Sequence, residues 1–236
     1  MEAITIMQNA EFLSQLDARI AKYDLLCHPF YKAWSEGKLT RGDLRDYARD
    51  YYHHVEAFPS SLASLALRLE DGELRRAVLA NMQEELGNSR KNEREHGEIW
   101  LDFAEGMGSS RDLHGHQPAA EISALIAHFQ RVACEGTPEE ALATFYAYES
   151  QVPRVATEKA LGLRAMYSAD EKTCGYFDLH ATADVYHSNV WRSQLEKQVE
   201  GNPAAQEIAL ASAEHAAQKL WQALDGIEAR RTATAA

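Results

Sequence analysis

The sequence is poor in residues that interrupt helices and in residues that cross-link small domains. Of its 236 residues only 6 are proline, 13 are glycine and 3 are cysteine. The cysteines, Cys27, Cys134 and Cys174, are far apart, odd in number and outside any CxxC pattern. This excludes a disulfide framework and a thiolate zinc site, and a reducing cytoplasm is the expected location.

Long apolar runs and an excess of basic residues are also missing. No window approaches roughly 18 uninterrupted apolar residues, and the N-terminal MEAITIMQNAEF has no basic region followed by an apolar stretch. We therefore expect neither a transmembrane helix nor a signal peptide. With 24 basic against 36 acidic residues, the formal charge is −12. This charge argues against nucleic acid or an anionic membrane as a partner.

What the sequence does contain favours an all-α protein. Hydrophobic residues make up 45% of the chain, in Ala- and Leu-rich segments without the alternation of Val, Ile or Thr that indicates strands. The pattern predicts about seven to nine helices in a single bundle-like domain over residues 1–236, with a frayed tail at about 230–236. One of these helices is expected to begin at Thr137 and to continue past a kink at Pro153 to about Tyr167.

The stretch HATADVYH places His180, Asp184 and His187 at intervals of four and three residues. On a helix that turns about 100° per residue, these positions fall within an arc of about 60° and point to one place. Such a set either makes ordinary polar contacts or binds a metal ion. The three residues alone do not decide between the two.

Further carboxylates and a histidine lie on other predicted helices. Glu149 belongs to the aromatic and aliphatic stretch FYAYESQVPR, where a buried carboxylate needs a partner. In NMQEELG, either Glu84 or Glu85 continues the inner stripe of a helix, and the periodicity does not choose between them. His96, one turn before Trp100, is expected to face inward. Together these residue types suit a pair of iron or manganese ions with open positions for oxygen.

Several motifs, in this order, resemble those of the CADD-like proteins, which are named for association with death domains. They are HPFYKAWSEGKLT, YARDYYHHVEAFP, EELG with HGEIW, YESQVPRVATEK and HATADVYH. The likeness runs from about residue 10 to 225 and implies the haem-oxygenase-like helical bundle that TenA and PqqC share. It carries the family's two-metal site onto Glu84, His96, Glu149, His180, Asp184 and His187. At the Glu-Glu pair, the resemblance favours Glu84.

The resemblance also implies an activity. CADD-like proteins are similar in being oxygen-dependent enzymes that make para-aminobenzoate for folate synthesis from one of their own tyrosines. The matching tyrosine is Tyr31, and the matching lysine, the implied amino donor, is Lys159. Taken alone, Tyr31 would be a packing aromatic and Lys159 an exposed cation. Tyr52, Tyr148 and Tyr176 are candidates to relay oxidising equivalents.

The implied cofactors are two metal ions, iron and/or manganese, with O₂ as co-substrate and an external reductant. The sequence identifies neither the metals nor the electron donor. Two alternatives stay open: a PqqC-like or TenA-like metal-free enzyme acting on a small heterocycle, and an interaction module for a death-domain-like partner. By analogy with similar bundles, a homodimer is expected.

Overall fold

Helices account for most of the computed structural model, which describes residues 9–91 and 93–234. The α-helices are α1 (Asn9–Ala21), α2 (Pro29–Ser35), α3 (Arg41–Arg68), α4 (Glu73–Glu85), α5 (His96–Gly106), α6 (Ala120–Glu135), α7 (Pro138–Glu149), α8 (Val152–Tyr167), α9 (Glu171–Val199) and α10 (Pro203–Thr234). Among the described residues, nine helices have 11 residues or more, and α2 has 7. These residues contain no strand, so the predicted all-α class is confirmed.

Helix α3 forms one long wall of the bundle. Thr40 caps it, because the Thr40 hydroxyl accepts the Asp43 N–H at 3.1 Å while the Asp43 carboxylate accepts the Thr40 N–H at 2.7 Å. The helix runs for 28 residues. Its buried face carries Tyr47, Tyr51 and Phe58, which places three aromatic rings along the interior of the protein.

The segment around Pro153 differs from the prediction of one kinked helix. Helix α7 ends at Glu149 and α8 begins at Val152, with Pro153 in its first turn. A proline has no N–H to donate and therefore fits the start of a helix. The buried side chain of Gln151 fills the junction, where its oxygen accepts the Leu25 N–H at 3.0 Å. The break leaves Glu149 as the last residue of its helix.

Helix α10 extends into the segment, about 230–236, that the sequence predicts to be frayed. It continues to Thr234, so residues 230–234 are helical, and residues 235–236 lie outside the described part of the chain. Arg230 anchors this end, because its guanidinium donates to Asp50 at 3.1 Å and to two backbone carbonyls at 3.2 and 2.9 Å. These contacts offset the loss of side-chain freedom that otherwise frays a helix end.

The buried apolar side chains of the described residues form one contiguous core. Helix α9 crosses it and packs against α5, α7 and α8, while α4 packs mainly against α3. Within the described residues, no helix is both long enough and apolar enough to cross a bilayer. The three cysteines are free thiols. The cytoplasmic location and the single domain stay predictions.

Candidate metal centre

The polar stripe of α9 faces the interior. His180, Asp184 and His187 are only 3%, 2% and 2% exposed. The structure thus brings together the three residues that the sequence placed on one helix face. The three residues belong to two different groups of candidate donor atoms. His180 is in one group, and Asp184 and His187 are in the other.

The first group consists of Glu85, His96 and His180, whose donor atoms lie within 4.8 Å of one another. Nδ1 of His96 lies 2.8 Å from the Glu85 carboxylate, yet it makes no hydrogen bond of acceptable geometry within the described residues. Nδ1 of His180 lies 2.8 Å from the Tyr176 carbonyl. A carbonyl only accepts, so this Nδ1 carries the proton and Nε2 is left as the donor atom for a metal.

The second group consists of Glu149, Asp184 and His187, whose donor atoms also lie within 4.8 Å of one another. Nδ1 of His187 lies 3.2 Å from the Asp184 carboxylate. The Asn81 amide donates to the two oxygens of Glu149 at 3.0 and 3.3 Å, and the Trp191 indole N–H donates to one of them. These donors fix the orientation of a carboxylate that is 1% exposed.

Electrostatics in the two groups favour a bound cation. Burial and repulsion from Asp184 raise the pKa of Glu149 well above its usual range. Burial also opposes ionisation of Glu85, but its interaction with His96, together with the charges of His180 and His187, lowers the pKa of Glu85 overall. Burial also lowers the pKa of His187, yet its hydrogen bond to Asp184 and the charge of Glu149 raise this pKa to about 10 overall. Metal ions would neutralise the crowded carboxylates.

The donor set fits two transition-metal ions. One group offers one carboxylate and two imidazoles, and the other offers two carboxylates and one imidazole. Sets of this kind, without thiolates, are typical of iron and manganese sites rather than structural zinc sites. The buried Nδ1 of His96 makes no hydrogen bond of acceptable geometry although it lies 2.8 Å from the Glu85 carboxylate, so the two donor atoms are placed to share one ion.

The structure places Glu85, rather than the Glu84 that the resemblance favours, in the first donor group. Glu85 has a side chain that is 5% exposed and belongs to the first group, whereas the side chain of Glu84 is 52% exposed and belongs to neither. The buried residues of α4 are Val78, Asn81 and Glu85, spaced three and four residues apart on one face. Glu84 lies about 100° away from Glu85 around the helix and contacts the rim of the second group, at His187.

Tyr31 and Lys159 meet in the interior, although Lys159 taken alone would be an exposed cation. The two residues are 4% and 7% exposed. The Lys159 amine lies 4.4 Å from the centre of the Tyr31 ring and donates to the Tyr47 hydroxyl at 2.6 Å. The Tyr47 hydroxyl is also 3.2 Å from that of Tyr31. Burial lowers the pKa of Lys159 well below its usual range and raises the pKa of Tyr31.

A continuous series of ring contacts connects this pair to the first donor group. Tyr47 stacks on Tyr51 at 5.5 Å, and Tyr51 contacts Trp100 at 5.5 Å. Trp100 meets Tyr176 edge-on at 4.8 Å, and Tyr176 stacks on His180 at 3.9 Å. The interior between Tyr31 and the candidate metal ligands is therefore filled with oxidisable aromatic rings.

Of the three relay candidates named from the sequence, Tyr148 and Tyr176 line a small cavity together with members of both donor groups. The Tyr52 hydroxyl instead donates to Glu56 at 3.1 Å, a carboxylate at the protein surface. Tyr47 and Tyr51 were not among the candidates named from the sequence. Their spacing of four residues in YARDYY, on the inner face of α3, was the available signal.

Two comparisons bear on the family to which the chain belongs. The sequence profile of a family described as an iron-containing redox enzyme matches residues 45–221. A protein of Chlamydia muridarum named 4-aminobenzoate synthase is 38% identical over 187 residues, which cover 78% of each chain. The chain belongs to the CADD-like, haem-oxygenase-like family. This confirms the resemblance found in the sequence.

Two further relatives extend the likeness of this CADD-like protein to nearly its whole length. A 4-aminobenzoate synthase of Nitrosomonas europaea is 34% identical over 232 residues, covering 94% of this chain and 92% of the relative. A crystal structure of a CADD-like protein of unknown function from Nostoc punctiforme superposes with a TM-score of 0.73 at 15% identity, covering 93% of this chain and 98% of the other. At that identity the superposition shows the fold alone, and it confirms the haem-oxygenase-like bundle.

Proposed function

We propose that this CADD-like protein is an oxygen-dependent dimetal enzyme that makes 4-aminobenzoate from its own Tyr31, with Lys159 as the amino donor. The observation that carries the proposal is the buried Lys159 amine, 4.4 Å from the centre of the Tyr31 ring. The names of the relatives from Chlamydia muridarum and Nitrosomonas europaea support the product. Tyr31 would supply the ring and Cβ, and O₂ would oxidise Cβ to the carboxyl carbon as the Cα–Cβ bond breaks. The nitrogen of Lys159 would replace the phenolic oxygen, which leaves as water, and its bond to Cε would be broken oxidatively.

In this proposal, Glu85, His96 and His180 hold one ion, and Glu149, Asp184 and His187 hold the other. A reduced iron or manganese pair supplies oxidising power from O₂ and an external reductant when bound. The protein's own contribution begins with rigid ligands, because the side chains that would bind the ions are buried and held by neighbouring donors and acceptors.

Lys159 suits the part of amino donor because of its surroundings. Within the described residues, the Lys159 amine contacts aromatic rings and a hydroxyl, with no carboxylate to stabilise the ammonium form. The lowered pKa favours a neutral amine, whose lone pair is free to attack carbon. The Tyr47 hydroxyl accepts one amine hydrogen at 2.6 Å and holds the nitrogen near the ring face.

Tyr31 suits the part of oxidised ring. Burial keeps its phenol protonated, so removal of an electron must be accompanied by loss of the hydroxyl proton. The Tyr47 hydroxyl, 3.2 Å away, lies within hydrogen-bond distance of the Tyr31 hydroxyl and orients it. The ring series from His180 through Tyr176, Trp100 and Tyr51 offers a route for the oxidising equivalent.

A Tyr31→Phe variant tests the self-consumption. Both proteins are loaded with iron or manganese and exposed to O₂ and reductant, and then 4-aminobenzoate and the intact polypeptide mass are measured. Wild type should release product and lose mass, whereas Tyr31→Phe should do neither at unchanged metal content. Tyr23→Phe is the matched control, since Tyr23 is half-buried and packs on Trp221. Product from Tyr31→Phe at the wild-type level would contradict the proposal.

Elemental analysis of protein purified without chelators separates this function from a metal-free activity on a small heterocycle. The dimetal proposal requires two ions per chain, and the alternative requires none. The six buried donors support the first. The homodimer and the association with a death-domain-like partner stay predictions.

A further inference from the structure

Glu84 lies outside both groups of donor atoms but touches one of them. Its carboxylate is 2.8 Å from Nε2 of His187, while Nδ1 of the same ring is 3.2 Å from the Asp184 carboxylate. The ring itself is 2% exposed and Glu84 is half-exposed. The imidazole of His187 thus connects a surface carboxylate to the buried second group.

The two contacts decide which ring nitrogen can bind a metal. A neutral histidine offers one nitrogen to the ion and keeps a proton on the other. Asp184 is itself a candidate ligand of the second group, so the nitrogen beside it, Nδ1, faces the metal position. The proton then lies on Nε2, where Glu84 accepts it. In His180 the assignment is reversed, because Nδ1 donates to the Tyr176 carbonyl.

We propose that Glu84 is a positioning residue that orients His187 as an Nδ1 ligand, and that it supports the ion of Glu149, Asp184 and His187 only. A carboxylate that accepts the second N–H of a histidine ligand fixes its tautomer and raises its basicity. The consecutive acids of α4 would then serve different ions, since a step of about 100° around the helix separates them. Glu85 binds the first ion, and Glu84 steadies a ligand of the second.

The inference rests on the proposed dimetal site, and a metal-binding titration tests it without turnover. Metal-free protein is equilibrated with increasing Mn²⁺, and bound metal is counted by elemental analysis after dialysis. Wild type should bind two ions. Glu84→Ala should bind one ion as wild type does and the other about 10–100-fold more weakly, the usual effect of losing such a carboxylate. Glu84→Gln keeps an acceptor oxygen and should recover part of this loss.

Two comparison variants make the result specific. Glu93→Ala removes another exposed acid from the same surface cleft and should leave both affinities unchanged. Glu85→Ala should abolish binding of one ion. A thermal melt of metal-free Glu84→Ala should match wild type, because a half-exposed side chain contributes little to the core; a lower melting temperature would indicate a structural role instead.

Besides a lowered melting temperature, three binding results would overturn the proposal. If Glu84→Ala and Glu93→Ala both bind like wild type, the dimetal site stands and the role of Glu84 does not. If Glu84→Ala loses one ion completely while Glu85→Ala keeps both, Glu84 is a ligand. If wild type takes up no Mn²⁺ or Fe²⁺, the proposed function falls together with this inference.

Discussion

Removing one oxygen atom, in Tyr47→Phe, tests how Lys159 is held against Tyr31. The Tyr47 hydroxyl is fully buried and contacts both the Lys159 amine, at 2.6 Å, and the Tyr31 hydroxyl, at 3.2 Å. The substitution keeps the ring and leaves two buried polar groups without this partner. Each such loss costs about 1–3 kcal/mol, so we expect a total of about 2–6 kcal/mol if neither group finds another partner.

A double-mutant cycle with Lys159→Met isolates the part of the Tyr47→Phe free-energy cost that is due to the lost hydrogen bond with the Lys159 amine. When the amine is absent, Tyr47→Phe leaves only the Tyr31 hydroxyl unpaired, so its cost should fall by about 1–3 kcal/mol. Urea denaturation of the metal-free proteins, followed by circular dichroism, gives the four free energies of unfolding. In the metal-loaded enzyme, 4-aminobenzoate formation should fall with Tyr47→Phe because the amine is no longer held beside the ring.

The matched control is Tyr52→Phe, on the same helix. Its hydroxyl contacts the partly exposed Glu56 at 3.1 Å, so water can replace the lost bond and the cost should stay below about 1 kcal/mol. Two results would refute the reasoning: a cost for Tyr47→Phe no larger than that for Tyr52→Phe, or an equal cost with and without the Lys159 amine. Either would mean that the Tyr47 hydroxyl does not hold the amine.

Two further predictions concern Lys159 and its aromatic surroundings. The pKa of Lys159 is lower in the folded protein than its ordinary value of about 10.4 in the unfolded chain. At pH values between the two, the unfolded chain binds more protons than the folded protein. The free energy of unfolding of wild type should therefore rise with pH across this range. Lys159→Met should lack this rise in urea denaturation at several pH values, and an unchanged slope would contradict the assignment. In Gly162→Ala, the new Cβ would lie 2.9 Å from Trp34, so α8 must shift and unfolding should become easier by about 1–3 kcal/mol. Gly97→Ala, where a Cβ meets nothing within 4 Å, should show no such loss, and equal stability of the two variants would refute the close-packing argument.

Helical periodicity was sufficient to predict the α9 face of the site. His180, Asp184 and His187 recur at intervals of four and three, and all three are buried. The division of the stripe between two donor groups was not predictable from the same pattern, because it depends on which side chains of other helices lie opposite. His180 and His187 are seven residues apart, which is about 10 Å along a helix. That separation is too great for both rings to bind one ion.

The local sequence pattern could not predict that the side chains of Glu85 and Lys159 are buried. Neighbouring residues on a helix differ by only about 100°, and α4 is amphipathic enough to accept either acid on its inner edge. Its packing on α3 and against Glu149, through Asn81, fixes the rotation. Lys159 had no partner visible in the sequence. Its burial depends on contacts with Tyr31 of α2 and Tyr47 of α3, which lie more than 100 residues earlier in the chain.

The same long-range packing explains how a lysine side chain persists in the interior. The amine of Lys159 lies 4.4 and 4.8 Å from the ring centres of Tyr31 and Tyr47, and 5.4 Å from that of Phe177. Ring faces stabilise an ammonium group by electrostatic attraction, while exclusion of water favours the neutral amine. The two effects oppose each other, so the amine's charge is sensitive to the ring beside it. Under the proposed function, oxidation of Tyr31 would withdraw electron density from that ring and weaken its attraction for a cation. The aromatic enclosure would therefore favour the neutral, nucleophilic amine at the stage when the ring becomes open to attack.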